Sequence, residues 1–280
     1  MDARSVGIVG VGLIGGSIAL GALRSGYRVS LFDRTGVDKL VDGRFQDAHF
    51  VDHLRDIAAE SRMIILATPL SAIPHVVAGL APFIHSKHIL SDVASVKGPV
   101  IAVIREVLGN QCDYIPVHPM AGSEKSGSGA ARPDLFAGAV TLLCGELARD
   151  SMSVRLVTDF WKELGAKVFT TDAAHHDEMV AAMSHLPHLI AALLVTHVAK
   201  RDFKALDLSG SGFRDMTRIA SGAPDLWTDI LLSNAVALAG NLSAFRDLID
   251  ATLALLQRGD AKNLQALLDA AKENRDRLTR

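Results

Sequence analysis

The segment His118-Pro119-Met120-Ala121-Gly122-Ser123-Glu124-Lys125-Ser126-Gly127 sets an imidazole at the head of a glycine-rich polar loop. Imidazole titrates near neutrality, so His118 can take a proton from a hydroxyl group at ordinary pH. Oxidation of an alcohol by hydride loss needs such a base; a satisfied structural histidine is the other reading of the same residue. Ser91-Asp92-Val93-Ala94-Ser95-Val96-Lys97-Gly98 supplies a hydroxyl and an ammonium for the nicotinamide end of a cofactor, with Ser95 alternatively a helix N-cap. In Ser184-His185-Leu186-Pro187-His188 two imidazoles stand three apart on one helix face. No carboxylate motif nearby completes a metal site, and the plain reading is core or interface histidines. Gly212-Phe213-Arg214-Asp215-Met216-Thr217-Arg218 offers two guanidinium groups four apart. They could grip a substrate carboxylate, or Asp215 and Arg218 could form an ordinary intrahelical ion pair.

Hydride chemistry needs an acceptor, and Gly10-Val11-Gly12-Leu13-Ile14-Gly15 points to one. The run follows a predicted strand and opens a predicted helix, the setting in which a glycine pattern of this spacing binds a dinucleotide. Gly10 permits the tight turn, Gly12 admits a pyrophosphate to the backbone at Leu13 and Ile14, and Gly15 lets helix and strand pack closely. Asp33, at the end of the second strand, is placed to accept hydrogen bonds from the adenosine ribose, which favours NAD. Arg34 beside it could instead hold a 2′-phosphate, so NADP stays open. Thr68, in Leu66-Ala67-Thr68-Pro69 at the carboxyl edge of a strand, is a further cofactor contact or simply part of a strand-ending turn.

These residues require an open parallel sheet to present them along one edge. Val6–Val9, Val29–Phe32, Met63–Ala67, His88–Leu90 and Tyr114–Val117 read as strands. Ile14–Ser25, Leu70–Leu80 and Val96–Leu108 read as helices between them. Near Asp172 the texture becomes helical, with Asp172 as N-cap of a helix from Ala173 to about Val198, kinked at Pro187. Further helices are expected over 203–209, 213–220, 224–255 and 260–277. The expected fold is α/β: a Rossmann-type doubly wound domain over 1–171, then an all-α substrate and dimerisation domain over 172–280. Long helices with apolar faces predict a homodimer.

Composition narrows the class further. A net charge of −2, with 29 basic residues interspersed among 31 acidic ones, offers no phosphate-neutralising stripe and argues against nucleic acid. Cys112 and Cys144 lack the spacing of a metal or redox pair and read as buried thiols in a reducing compartment. The N-terminal apolar run reads as strand and turn, not a signal peptide, and histidines and Pro187 interrupt the stretch from Ala181 to Val198, so a cytoplasmic protein off the membrane is expected.

Taken together, GVGLIGGS, LATP, SDVASVKG, HPMAGSEKSG, SHLPH and SGFRDMTRIA followed by Trp227 closely resemble the prephenate and arogenate dehydrogenases of tyrosine biosynthesis, from the first strand to about Asn234. The resemblance implies a Rossmann domain followed by a helical dimerisation domain. It further implies oxidative decarboxylation, of prephenate to 4-hydroxyphenylpyruvate or of arogenate to tyrosine. By the same resemblance His118 is the catalytic histidine with Ser95 its hydroxyl partner, Arg218 grips a substrate carboxylate, and His185 is a second active-site histidine. Glu124 and Asp215 fall on a gating ion-pair network, and Trp227 on an aromatic supplied by the partner subunit. With no room for a chorismate mutase segment or a regulatory domain, a stand-alone enzyme is expected. Two rival readings are another Rossmann-plus-helical dehydrogenase, of the 3-hydroxyacid or imine class, and an NAD-sensing dimer without turnover. The first lacks an HPMAG-type loop in this place, and the second has no reason to keep His118, Ser95 and Arg218 together.

Overall fold

A computed structural model describes residues 2–34, 43–122, 125 and 127–278. The glycine-rich opening folds as read: β1 (Ser5–Val9), a turn, α1 (Leu13–Arg24) and β2 (Arg28–Phe32). There follow β3 (His49–Phe50), α2 (Leu54–Glu60), β4 (Met63–Leu66), α3 (Ile73–Leu80), β5 (Ile89–Asp92), α4 (Gly98–Leu108) and β6 (Asp113–Pro119). The two-residue β3 and the short α2 were not visible in the hydrophobic pattern. Every residue of β1 and of β4 is buried, the mark of central parallel strands with helices on both faces.

Three further elements complete the sheet: β7 (Val140–Cys144), α5 (Ser151–Glu163) and β8 (Lys167–Thr171). The strand order is β3-β2-β1-β4-β5-β6-β7-β8. All pairings are parallel except β6 with β7, where His118 lies opposite Leu142. The parallel sheet expected from the sequence runs from β3 to β6 and is extended by β7 and β8, which run the other way. The reversal matters for the site, because β6 outruns β5 and its last residues are held by β7 instead. One apolar cluster, which includes Ile8, Ile65, Val117, Phe160 and Trp161, fills one face of the sheet, and a second, around Ile64, Val77, Leu90 and Ile104, fills the other.

The helical half opens as predicted. Asp172 caps α6 (Ala173–Val180) by accepting from the His175 N–H at 2.8 Å. A π-helical turn, Ala181–His185, then leads into α7 (Leu186–Arg201). Pro187, expected to kink the helix, falls in the first turn of α7, directly after the widened turn that carries His185. The helix expected over 203–209 is a 3₁₀ turn, Phe203–Leu206, and that over 213–220 is α8 (Ser211–Thr217) with a second 3₁₀ turn, Arg218–Ser221. The helix predicted over 224–255 is divided into α9 (Pro224–Ser233) and α10 (Ala235–Arg258), followed by α11 (Ala261–Arg277). The break falls at Asn234, whose side-chain amide donates to the Asp177 carbonyl at 2.8 Å. By compactness the chain divides into Met1–Asn234 and Ala235–Arg280. Helix Ala173–Arg201 is long and apolar enough for a membrane span, and only 28% of its most apolar window is buried within the chain.

Candidate functional site

The glycine turn has the geometry that its sequence demands. Gly10 has a φ of +97°, and a Cβ there would meet the Ala67 carbonyl at 2.7 Å. A Cβ on Gly15 would lie 1.9 Å from the Gly10 oxygen, so only glycine allows α1 to start this close to the turn. Gly12 faces open space: nothing lies within 4 Å of its would-be Cβ, and no side chain caps α1. The first amides of the helix, at Leu13 and Ile14, thus face a cradle with room for a pyrophosphate. Asp33 accepts from the Val11 N–H at 2.8 Å, which fixes its carboxylate beside the turn, and Arg34 next to it is exposed. The Thr68 hydroxyl is buried without a hydrogen-bond partner among the described residues, and it is the Thr68 methyl group that faces Gly10, 3.0 Å from where a Cβ there would stand. The open space at Gly12 and the uncapped amino end of α1 fit a bound dinucleotide.

At the other end of the sheet edge, β6 delivers His118, 8% exposed. Its Nδ1 lies 2.9 Å from Nε2 of His176, and Nδ1 of His176 lies 2.8 Å from Oδ1 of Asp177. Asp177 also accepts from the backbone N–H groups of Lys97 and Gly98, each at 2.8 Å, and so satisfies the open amino end of α4. Burial pulls the Asp177 carboxyl upward, but the hydrogen bonds from His176, Lys97 and Gly98 outweigh it and hold the group below its ordinary range. Burial, followed by the charge of Lys97 and the neighbouring His176 and His185, holds His118 well below the usual imidazole range. His118 is therefore a neutral imidazole at physiological pH.

Ser95 is half-buried and does not cap α4, which starts at Gly98, later than predicted. Its hydroxyl makes no hydrogen bond among the described residues. The Lys97 ammonium, expected near the nicotinamide, turns inward instead: the side chain is wholly buried and donates to Asp92 Oδ1 at 2.6 Å and to the Val117 carbonyl at 2.7 Å. His185 is 1% exposed; its Nδ1 faces the Asn234 amide at 3.3 Å and its Nε2 is buried without a partner. That arrangement puts the ring proton on Nε2, a donor waiting for an acceptor. Burial pushes His185 down to about 4, against the pull of Asp177.

Trp227 stacks on His188 of the same chain, with ring centroids 3.5 Å apart at 13°. A Cβ on Gly222 would strike the indole at 2.3 Å, so this glycine makes the stack possible. Arg218 and Asp215 are exposed and form no ion pair with each other among the described residues, which removes the intrahelical bridge as their purpose. Glu124 lies outside the described residues. The structure thus gathers His118, His185 and the approach to α4 into one region, and leaves Arg218 and Asp215 facing outward. His176 and Asp177, which hold His118, were missed by sequence reasoning. A signal existed: His176 precedes Val180 by one helical turn, so an imidazole occupies the buried face of α6.

The buried histidines predict acid sensitivity. In the unfolded chain His118 and His185 protonate near their ordinary value of about 6.5, whereas the folded His185 does so only at about 4 and His118 also well below 6.5. Below pH 6.5 the unfolded state therefore binds more protons, and the stability held above that pH is lost as pH falls towards 4. Urea denaturation from about pH 7 to 5 should show unfolding free energy dropping by up to about 1.4 kcal/mol per pH unit for each histidine. A flat profile would mean that both rings protonate in the folded state.

Comparison with known proteins bears on this geometry. A family model for the nucleotide-binding domain of prephenate dehydrogenase matches residues 27–170, and one for its dimerization domain matches 172–270. A cyclohexadienyl dehydrogenase from Zymomonas mobilis is 33% identical over 252 residues, 86% of this chain and 85% of the relative. Among solved structures, prephenate dehydrogenase from A. aeolicus in complex with hydroxyphenyl propionate and NAD+ superposes with a TM-score of 0.90 at 27% identity, covering 99% of each chain. An arogenate dehydrogenase from Synechocystis does so with a TM-score of 0.85 at 29% identity, over 98% of this chain and 99% of that one.

Proposed function

The chain belongs to the prephenate dehydrogenase family, and we propose that it carries out NAD(P)-dependent oxidative decarboxylation of prephenate, arogenate or both, with His118 as the base. The observation that carries this reading is a buried, neutral His118 whose Nδ1 is engaged by His176 and whose Nε2 has no partner among the described residues. Nε2 takes the proton of the ring hydroxyl as its carbon is oxidised. Nicotinamide supplies the hydride acceptor when the dinucleotide occupies the Gly10–Gly15 cradle. Loss of carbon dioxide makes the ring aromatic, so the protein's own task is mostly positioning. Ser95 lies on the loop before α4, His185 offers a buried N–H to an acceptor on the substrate, and Arg218 offers a guanidinium to a carboxylate.

Asp33 beside the turn supports NAD as the preferred cofactor, and the exposed Arg34 leaves NADP a competitor. The functional division falls at Asp172, supported by its cap on α6 and by the two family models. A homodimer through the helical half is supported by the exposed apolar residues Leu193 on α7 and Leu248, Leu253 and Leu256 on α10. The same pairing would cover the apolar stretch of Ala173–Arg201 without a bilayer. A reducing cytoplasmic setting suits the buried thiols of Cys112 and Cys144.

The direct test is reduced-nicotinamide formation with prephenate and with arogenate, each with NAD and with NADP. Turnover with either substrate supports the proposal and assigns both preferences; silence in all four assays with cofactor binding intact would favour the NAD-sensing alternative. Within an active enzyme, Arg218→Ala is expected to raise KM about 10- to 100-fold with kcat changed far less, as befits loss of a hydrogen bond to a charged group contributing about 1.5–3 kcal/mol. An unchanged KM would assign the carboxylate to another cation.

A further inference from the structure

We propose that Asp177 and His176 form a two-residue relay that fixes the proton of His118 on Nδ1 and leaves the Nε2 lone pair for the substrate. The inference rests on His118 being the base, and it makes Asp177 and His176 positioning residues rather than catalytic ones.

The geometry forces an order of protons. Asp177 is an acceptor, since Oδ1 receives the Lys97 N–H and Oδ2 receives the Gly98 N–H. Nδ1 of His176, 2.8 Å from Oδ1, must therefore be the donor in that contact. With a single proton on the His176 ring, placed on Nδ1, its Nε2 is unprotonated, and 2.9 Å away stands Nδ1 of His118. Two lone pairs cannot face each other at that distance, so the shared proton belongs to His118 Nδ1. What remains on His118 is a bare Nε2. His176 is wholly buried and cannot exchange this arrangement with water. The logic is that of a carboxylate holding an imidazole in the productive tautomer, extended by one ring.

The proton balance follows. The substrate O–H bond breaks, the N–H bond forms at His118 Nε2, and His118 becomes an imidazolium that donates from Nδ1 to His176. The Asp177 carboxylate, one ring further on, compensates the new charge without itself taking a proton. Because Asp177 also holds the amino end of α4, it ties the tautomer of the base to the placement of the loop that carries Ser95.

The test is imidazole ¹⁵N NMR on the full-length, cofactor-free protein, alongside kcat and KM. In the unaltered protein the His118 proton is expected on Nδ1; finding it on Nε2 overturns the relay whether or not the protein turns over prephenate. Asp177→Asn can donate from its amide to His176 Nδ1 and so reverse the order. The expected result is a His118 proton moved to Nε2, with kcat lowered about 10²- to 10⁴-fold and KM little changed. His176→Gln keeps an acceptor for His118 and a donor for Asp177, and should retain both the Nδ1 tautomer and turnover well above that of Asp177→Asn. Equal losses in the two variants, with His118 in the same tautomer in both, would mean a merely structural role and would sink the proposal. Turnover failing in the unaltered protein while the Nδ1 tautomer is present would count against the assigned activity, not against the relay.

Discussion

Replacing His118 by asparagine should leave a folded protein that binds dinucleotide normally and turns over about 10²- to 10⁴-fold more slowly, the contribution typical of a positioned general base. The fold should survive because asparagine can still donate to His176 Nε2, and because the ladder that holds position 118 opposite Leu142 is made by backbone. Cofactor binding should survive because its cradle is built at the end of β1, on Gly10, Gly12 and Gly15, and owes nothing to β6. Turnover should not, because a carboxamide cannot take a proton at neutral pH. The loss should appear in kcat, with cofactor affinity measured separately by quenching of protein fluorescence. Near-normal turnover would transfer proton acceptance elsewhere and remove His118 from the mechanism.

What could be read from the sequence divides along a physical line. Local rules were legible: the glycine turn, the buried strands Val6–Val9 and Met63–Leu66, and the Asp172 cap each depend on residues close together in the chain. The site loops could be placed for the same reason, since each follows a strand at the carboxyl edge of the sheet. Elements set by distant partners were not legible. The strand β7 has its direction fixed by pairing with β6, and nothing within Val140–Cys144 distinguishes an antiparallel neighbour from a parallel one. Asp177 looks like a solvated helix charge until the amino end of α4 is brought against it. Asn234 reads as an ordinary helical position, and its break in the helix becomes explicable only through the Asp177 carbonyl and the His185 ring. Lys97 is the sharpest case, because an ammonium on a loop beside a cofactor site looks like a ligand and is in fact the base of a buried polar cluster.

That cluster carries the largest expected effect on stability. The Lys97 ammonium and the Asp92 carboxylate are both fully buried, 2.6 Å apart. Asp92 also accepts from the Ala94 N–H at 2.9 Å and from the Tyr114 hydroxyl at 2.7 Å, while Lys97 reaches the Val117 carbonyl, one residue before His118. Burial, and then the charge and hydrogen bond of Asp92, holds the Tyr114 phenol protonated well above its ordinary range, so it remains a donor throughout. Lys97→Met keeps the aliphatic bulk but strips the cation, leaving a carboxylate with two neutral donors and the Val117 carbonyl with one fewer. Breaking a buried pair in this way costs about 3–5 kcal/mol, a large part of what a domain of ordinary stability holds. The penalty comes from the stranded charge rather than from the bond itself. Removing the whole cluster in Lys97→Met/Asp92→Leu/Tyr114→Phe should therefore recover much of the stability lost in the single variant, although it deletes more hydrogen bonds. Urea denaturation of the two proteins decides the matter. A loss under about 1 kcal/mol for Lys97→Met would mean that water reaches Asp92 once the ammonium is gone. A triple variant less stable than the single one would mean that the hydrogen bonds outweigh the desolvation of the charges, and that the cluster holds β5 to β6 as well as fixing the strand end on which His118 sits.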